Sequence, residues 1–256
     1  MDREFLENIA REAGGLALEL FGRVRSEKKG TSLVSEADKT VERMIISRIW
    51  SEYPNDFILA EESGKNGFTD FGEITRWWAV DPIDGTGPYL KNLPFWGVSV
   101  ACMRGSRTEC GAVYLPVLND MFSAVSGGPS HRNGKPLVPL RQVPPEDHDY
   151  LFIPCANLKG LRIRYPGRNL SLAAASLHLS YAAAGSSFGV VVEPTRAYDI
   201  AASALIFEEA GGAVRYLSGK EINYLELADG RLTLEPVIAT PRSQIAWLQK
   251  QVDWPV

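Results

Sequence analysis

Residues 77–86 read Trp-Trp-Ala-Val-Asp-Pro-Ile-Asp-Gly-Thr, an apolar run that ends in two carboxylates three positions apart. The apolar part is typical of a buried strand. Pro82 restricts the backbone between the two aspartates and lacks an amide hydrogen. Gly85 allows the chain to turn sharply, and Thr86 can cap a helix that follows. The stretch therefore predicts a buried strand that ends in a turn rich in oxygen atoms.

The turn has two interpretations. The side chains of Asp81 and Asp84 and the carbonyl of Ile83 would converge at the strand end, where oxygen ligands suit a hard cation such as Mg²⁺. Backbone amides that open a helix there would suit an anion such as phosphate. Together these features indicate phosphoryl chemistry. Asp-Pro and Asp-Gly-Thr are also common in ordinary turns, so this stretch alone leaves both interpretations open.

Two further acidic clusters stand at the ends of predicted elements. The apolar run 56–60 leads into Glu61 and Glu62, which repel each other unless a cation or solvent intervenes; solvated loop residues are the alternative. A helical pattern at 199–210 begins with Asp199, which a role in capping the helix would also explain. Three such clusters, far apart in sequence, favour one shared site over three coincidences.

These segments resemble the inositol monophosphatase family, which belongs to the Mg²⁺-dependent, lithium-sensitive phosphatases that include fructose-1,6-bisphosphatases. The likeness covers nearly the whole chain. Its segments are Val34-Ser-Glu-Ala-Asp38, Glu61-Glu62, Asp81-Pro-Ile-Asp-Gly-Thr86, 93–101, 111–117, 127–135, Tyr198-Asp-Ile-Ala-Ala202 and Glu209-Ala-Gly-Gly212. The resemblance implies an α/β (α+β) fold with α/β/α/β/α layers. It would form one domain, 1–256, of two packed halves: about 1–145 with an antiparallel sheet, and about 146–256 of α/β type.

The resemblance also implies roles for individual residues. One Mg²⁺ would be held by Glu61, Asp81 and the Ile83 carbonyl, and a second by Asp81, Asp84 and Asp199. The residues expected to orient and deprotonate the attacking water are Glu61, Thr86 and Asp38, with Thr86 hydrogen-bonded to Asp38. The residues expected to contact substrate are Asp84, Gly85, Thr86, Glu193 and Arg196.

Some of these residues have simpler explanations. Ser35-x-x-Asp38 is also a capping-box pattern, and Glu193 and Arg196 fit a solvated turn around Pro194. Asp84 has no apparent capping role in the sequence, which makes it the clearest candidate ligand.

The sequence departs from the family pattern at three places on the substrate side. Phe188 and Val192 stand where acidic residues are usual, and Ala173-Ala174 replace a common Gly-Ser pair. We therefore expect a substrate other than myo-inositol 1-phosphate, or broad specificity. The main expectation is Mg²⁺-dependent hydrolysis of a small sugar or polyol phosphate. The alternatives are a fructose-1,6-bisphosphatase or 3′-phosphonucleotide phosphatase, and a non-catalytic metal- or phosphate-binding regulatory protein.

Composition adds general expectations. The net charge of −4 and the lack of a basic block argue against nucleic acid as a partner. The apolar stretches are too short to cross a membrane, and the start of the chain lacks a signal-peptide pattern. Three cysteines without metal-binding spacing are typical of a reduced, cytoplasmic protein. The family tends to form dimers, so we expect a homodimer.

Periodicity predicts the remaining elements. Helices are expected at 2–21, about 35–50, 170–184, 199–210 and 241–251. Strands are expected at 56–60, 76–80, 96–103, 110–115, 121–125, 150–154, 188–193, 213–217 and 236–240. Turn signals such as Arg104-Gly-Ser106 and Asn133-Gly134 separate some of these strands and favour antiparallel hairpins.

Overall fold

The computed structural model of the chain describes residues 2–23, 26–29, 32–67, 76–155 and 160–254. Its helices are α1 (Arg3–Leu20), α2 (Glu36–Glu52), α3 (Thr86–Leu90), α4 (Ala175–Ala183), α5 (Ala197–Glu209) and α6 (Ile245–Gln249), with 3₁₀ turns at Tyr224–Leu227 and Arg242–Gln244. Its strands are β1 (Ser26–Lys29), β2 (Ser32–Ser35), β3 (Phe57–Ala60), β4 (Gly64–Asn66), β5 (Arg76–Asp84), β6 (Gly97–Arg104), β7 (Arg107–Leu115), β8 (Asp120–Val125), β9 (His131–Arg132), β10 (Lys135–Pro136), β11 (Tyr150–Phe152), β12 (Arg162–Ile163), β13 (Arg168–Leu170), β14 (Gly189–Val192), β15 (Gly212–Tyr216), β16 (Val237–Pro241) and β17 (Val252–Asp253).

The larger sheet has eight strands in the order β10-β9-β8-β7-β6-β5-β3-β4. Neighbours are antiparallel except β3 and β5, which are parallel. Turn residues explain the hairpins. Asn133 and Gly134 both have positive φ, 51° and 75°, as a two-residue turn between β9 and β10 requires. The predicted antiparallel hairpins are therefore confirmed.

The smaller sheet is mixed, with the order β13-β11-β14-β16-β15. Strand β11 runs parallel to β13 and β14, whereas β16 runs antiparallel to β14 and β15. Two short antiparallel pairs, β1–β2 and β12–β17, lie outside these sheets.

Alternation along β5 divides the core into layers. Trp77 and Ala79 join the apolar cluster that contains α4 and α5 and lies between the two sheets, whereas Trp78 and Val80 join the cluster beneath α1 and α2. A third cluster, which includes Leu248 of α6, covers the other face of the smaller sheet. The expected α/β/α/β/α order is therefore confirmed; the division into two packed halves of one domain stays a prediction.

Several element boundaries differ from those expected; β5, for example, continues to Asp84 rather than ending at residue 80. Residues 168–170 form β13, and α4 begins at Ala175 rather than at 170. The C-terminal helix is confined to 245–249. Thr86 is the first residue of α3 and Gly85 occupies the N-cap, so Thr86 does not cap this helix as expected. Across the described ranges, every helix is too short or too polar to cross a membrane.

Candidate active site

A β-bulge brings the two aspartates of β5 to one side of the strand. Asp81 pairs with Ser99 and Asp84 pairs with Gly97, so β5 carries one more residue than β6 between these pairs. Residues three apart in a regular strand point to opposite faces, and an extra residue restores them to the same face. Consistent with this, the charge of Asp84 is among the causes that raise the pKa of Asp81.

The turn after the bulge requires glycine. Gly85 has φ 93°, and a Cβ placed there would lie 2.7 Å from the Phe95 carbonyl oxygen and 3.2 Å from the Cβ of Ala174. The Thr86 hydroxyl donates a hydrogen bond of 3.3 Å back to the Ile83 carbonyl. The bond expected between Thr86 and Asp38 would need this hydroxyl to rotate, and it stays a prediction.

Asp84 caps helix α4, contrary to the expectation that it has no capping role. Its Oδ2 atom accepts a hydrogen bond of 2.6 Å from the amide of Ser176, the second residue of α4. The N-cap residue itself, Ala174, has no side-chain oxygen for this purpose. Burial raises the pKa of Asp84 to about 7, although hydrogen bonds from Ser176 oppose the shift.

Asp199 lies in the first turn of α5, and the capping role considered for it is observed. Its Oδ2 accepts hydrogen bonds from the Thr195 hydroxyl and, at 2.8 Å, from the Arg196 amide. Burial raises the pKa of Asp199, while these donors lower it. Its charge also raises the pKa values of Glu61, Asp81 and Asp84, so its position serves more than capping.

Glu61 follows β3 directly, and its amide donates to the Val80 carbonyl at 3.1 Å. The residue is half-buried rather than solvated, and its Oε2 atom is buried without a hydrogen-bond partner among the described residues. The pKa of Glu61 is raised well above the usual value, mainly by burial and next by the charge of Asp199. Carboxylate oxygens of Asp38, Glu61 and Glu62 all lie within 4.8 Å of one another.

This set of groups fits a hard divalent cation. Burial and neighbouring negative charges raise the pKa values of Glu61 and Asp81 well above the usual range, and Asp81 is only 2% exposed. Ionised carboxylates held this close repel one another unless positive charge lies between them. The side-chain donors of these residues are all oxygen atoms, as Mg²⁺ prefers.

The predicted substrate-side residues lie around α5. Glu193 is exposed beyond the end of β14, as its solvated-turn interpretation requires. Arg196 is half-buried, and its Nε atom donates to the Gly230 carbonyl at 3.1 Å. This bond, together with the contact of its amide with Asp199, fixes Arg196 at the start of α5. A simple solvated turn therefore does not describe Arg196.

The two positions that lack acidic residues belong to the apolar core. Phe188 is 8% exposed and packs against Tyr165 and Trp247, with ring centroids 6.1 and 5.4 Å away. Val192 is 7% exposed and belongs to the cluster between the sheets. Neither side chain offers a polar atom to a substrate hydroxyl.

Sequence reasoning missed three residues that hold the site together: Glu42, Thr195 and Ser176. Glu42 accepts hydrogen bonds from the amides of Glu62 and Ser63 at 2.7 and 2.9 Å. A signal for Glu42 existed, because it falls on the buried side of a predicted helix, next to Val41. The contact of Ser176 with Asp84 depends on tertiary structure and left no local signal, whereas Thr195 contacts Asp199 only four positions along the chain.

Comparison with known proteins gives one consistent result. The model of the inositol monophosphatase family matches residues 2–251. A Thermotoga maritima protein named fructose-1,6-bisphosphatase/inositol-1-monophosphatase is 31% identical over 238 residues, covering 87% of this chain and 88% of that protein. A solved Thermotoga maritima IMPase superposes with a TM-score of 0.84 at 28% identity, covering 98% and 96% of the two chains.

A third relative, Nus factor SuhB of Escherichia coli, is 32% identical over 261 residues, covering 95% of this chain and 93% of that protein. Its name does not describe a phosphatase, so the expectation that nucleic acid is not a partner gains no support. The names of the other relatives support a phosphatase-type function. From the match across residues 2–251 and relatives above 30% identity, the chain belongs to the inositol monophosphatase family.

Proposed function

We propose that this protein is a Mg²⁺-dependent hydrolase of small phosphate monoesters, with a sugar or polyol phosphate as substrate. The observation that carries the proposal is that Asp81, Asp84, Asp199 and Glu61, from three separate stretches of the chain, are near enough for the charge of Asp199 to act on the other three. Burial raises the pKa values of all four carboxyl groups, and the charge of Asp199 further raises those of Glu61, Asp81 and Asp84. A cation site explains why the fold tolerates such a cluster.

The proposed Mg²⁺ ligands are Glu61, Asp81, the Ile83 carbonyl, Asp84 and Asp199. Mg²⁺ bound by these groups would neutralise their charge and stabilise the negative charge that develops on the phosphoryl oxygens. Asp81 is central because it is the most deeply buried of the proposed ligand carboxylates and because the charges of Glu61 and Asp84 both act on it.

The chain's own groups would orient the reactants. The Thr86 hydroxyl donates its hydrogen to the Ile83 carbonyl, which leaves its oxygen free to accept a hydrogen bond from the attacking water and so to orient it. Glu61, with Asp38 nearby, would take the proton directly from this water. The amides of Gly85 and Thr86 would bind phosphate oxygens. Positioning and charge stabilisation of this kind account for most phosphoryl-transfer catalysis.

The alcohol part of the substrate would meet a less polar surface than is usual in the family. Phe188 and Val192 are packed in the core, and Arg196 and Glu193 are the remaining charged groups that we propose for this side. Losing a buried partner for a hydroxyl costs about 1–3 kcal/mol. We therefore propose that myo-inositol 1-phosphate is not strongly preferred over other small esters.

Phosphate release from a panel of sugar, inositol and nucleotide phosphates tests this function. The panel is run with Mg²⁺, with EDTA, and with Asp84→Asn, which keeps an oxygen for the Ser176 amide. Turnover that requires Mg²⁺ and is lost in the variant supports the proposal. If myo-inositol 1-phosphate exceeds every other ester by a wide kcat/KM margin, the proposed specificity is wrong.

A non-catalytic binding role is the second candidate, because relatives named Nus factor SuhB share 32% identity with nearly the whole chain. Mg²⁺ binding without turnover of any ester would favour that role. High activity on fructose 1,6-bisphosphate or a 3′-phosphonucleotide would instead indicate that the protein performs the same reaction on a different substrate. The homodimer and the cytoplasmic location stay predictions.

A further inference from the structure

The turn that carries Glu61, residues 61–63, is held by a carboxylate from another element. The side chain of Glu42, in α2, is 2% exposed. Its Oε2 accepts from the Glu62 amide at 2.7 Å, and its Oε1 accepts from the Ser63 amide at 2.9 Å. Both oxygens of one buried carboxylate are thus used to fix two successive amides of the same turn.

The same helix face carries a second acidic residue of the site. Asp38 precedes Glu42 by four positions, so the two side chains lie one turn apart on one face of α2. Asp38 is fully buried, and one of its carboxylate oxygens lies within 4.8 Å of oxygens of Glu61 and Glu62. Helix α2 therefore contacts the backbone of the turn through Glu42 and approaches its side chains through Asp38.

The other attachment of the turn is to β5. The Glu61 amide donates to the Val80 carbonyl, and Val80 precedes Asp81. Glu61 is therefore fixed on one side to the strand that carries Asp81 and on the other to the helix that carries Asp38. We propose that Glu42 is a positioning residue, which holds Glu61 and Asp38 in register so that Glu61 can bind a cation; this inference rests on the proposed function.

Glutamine at position 42 should break this arrangement with little change in shape. Its single side-chain oxygen can accept from one amide, but its NH₂ group cannot accept from the other. One amide of the turn then faces the NH₂ group of the glutamine, so that two hydrogen-bond donors point at each other. Residues that orient metal ligands typically change metal affinity by about 10–100-fold when they are replaced. We expect Glu42→Gln to weaken cation binding by about 10-fold and Glu42→Ala to weaken it further.

The experiment uses the full chain, without substrate, and titrates Mn²⁺ alone by calorimetry, since carboxylate and carbonyl oxygens suit both Mn²⁺ and Mg²⁺. Hydrogen exchange of the Glu62 and Ser63 amides, followed by NMR, reports directly on the turn. Glu52→Gln is the matched chemical control, because Glu52 is exposed at the far end of α2. Ile45→Val, a core change in the same helix, controls for a simple loss of stability.

The expected result for Glu42→Gln is faster exchange of both amides and weaker Mn²⁺ binding, with wild-type behaviour in Glu52→Gln and retained Mn²⁺ affinity in Ile45→Val. Unchanged Mn²⁺ affinity in both Glu42 variants overturns the inference while leaving the proposed function intact. Equal weakening in Ile45→Val also overturns it, because the effect then follows stability. If the wild-type protein binds neither Mn²⁺ nor Mg²⁺, the proposed function fails, and this inference fails with it.

Discussion

The Oδ2 atom of Asp84 lies 2.6 Å from the amide nitrogen of Ser176, although 91 residues separate the two in sequence. One carboxylate therefore ends the bulged strand β5 and begins helix α4. This bond joins the strand that carries three proposed metal ligands to the helix layer between the sheets. It also explains how α4 starts without a capping side chain of its own.

Replacing Ala174 with serine should reveal this capping role. Ala174 has the extended backbone of an N-cap residue, with φ −137° and ψ 125°, so a serine hydroxyl there could accept from the first-turn amides. We expect Ala174→Ser to raise the free energy of unfolding of an Asp84→Ala protein by about 1 kcal/mol. It should add less to the wild type, where Asp84 already occupies the Ser176 amide.

Urea denaturation of the four proteins in this cycle measures the coupling directly. The control is cation binding, which Ala174→Ser should not restore in the Asp84→Ala protein. Equal stabilisation in both backgrounds would show that Asp84 does not act as the cap.

The protein should be more stable with glycine in place of Ala173. It has φ 64°, in the left-handed region that costs a non-glycine residue roughly 1–2 kcal/mol. Glycine adopts this conformation freely but loses more entropy on folding. We expect Ala173→Gly to raise the free energy of unfolding by about 0.5–1 kcal/mol. Ala175→Gly, two residues later at the first position of α4, should lower it, by less than the ~1 kcal/mol that glycine costs in a helix interior. A loss of stability in both variants would contradict the assigned backbone of Ala173.

Gly85 should tolerate alanine far less well than other glycines with positive φ. Gly134 is the matched control, because its φ of 75° is similar to the 93° of Gly85, but a Cβ placed there would have no atom within 4 Å among the described residues beyond its chain neighbours. Both alanine variants bear the backbone strain, and only Gly85→Ala adds the close contact with the Phe95 carbonyl. We expect Gly85→Ala to abolish turnover and to unfold at a lower temperature than Gly134→Ala. Similar melting temperatures and retained turnover would show that the turn can relax.

The sequence was informative wherever local pattern decides structure. The apolar run before Asp81 predicted β5, and Asn133-Gly134 predicted its hairpin turn. The start of α4 was placed five residues too early because its cap comes from Asp84, not from a neighbouring residue. The apposition of Asp81 and Asp84 depends on a bulge that appears only when β5 pairs with β6. The partners of Glu42 are backbone amides, which every sequence contains, so no residue pattern could identify them.

The stability of the metal-free protein should depend on pH through Asp84. Its pKa in the folded protein is raised to about 7 from an ordinary value of 3.8. Such a group favours the folded state fully below its unfolded pKa, and this contribution is lost as the pH rises toward 7. We therefore expect the free energy of unfolding of the wild type, relative to Asp84→Asn, to fall between about pH 4 and pH 7.

Subtracting the Asp84→Asn curve removes groups that titrate alike in both proteins, such as Asp120, whose pKa is lowered by its bonds to Arg132 and Tyr181. Asp81 does not cancel, because the charge of Asp84 raises its pKa, and its titration is part of the measured difference. Saturating Mg²⁺ is the second control. If Asp84 binds the cation, Mg²⁺ should stabilise the wild type more strongly as the pH rises, because ligands must be ionised to bind. A difference curve that is flat from pH 4 to 7 would mean that Asp84 is already ionised in the metal-free fold, and that repulsion within the carboxylate cluster is relieved without a cation.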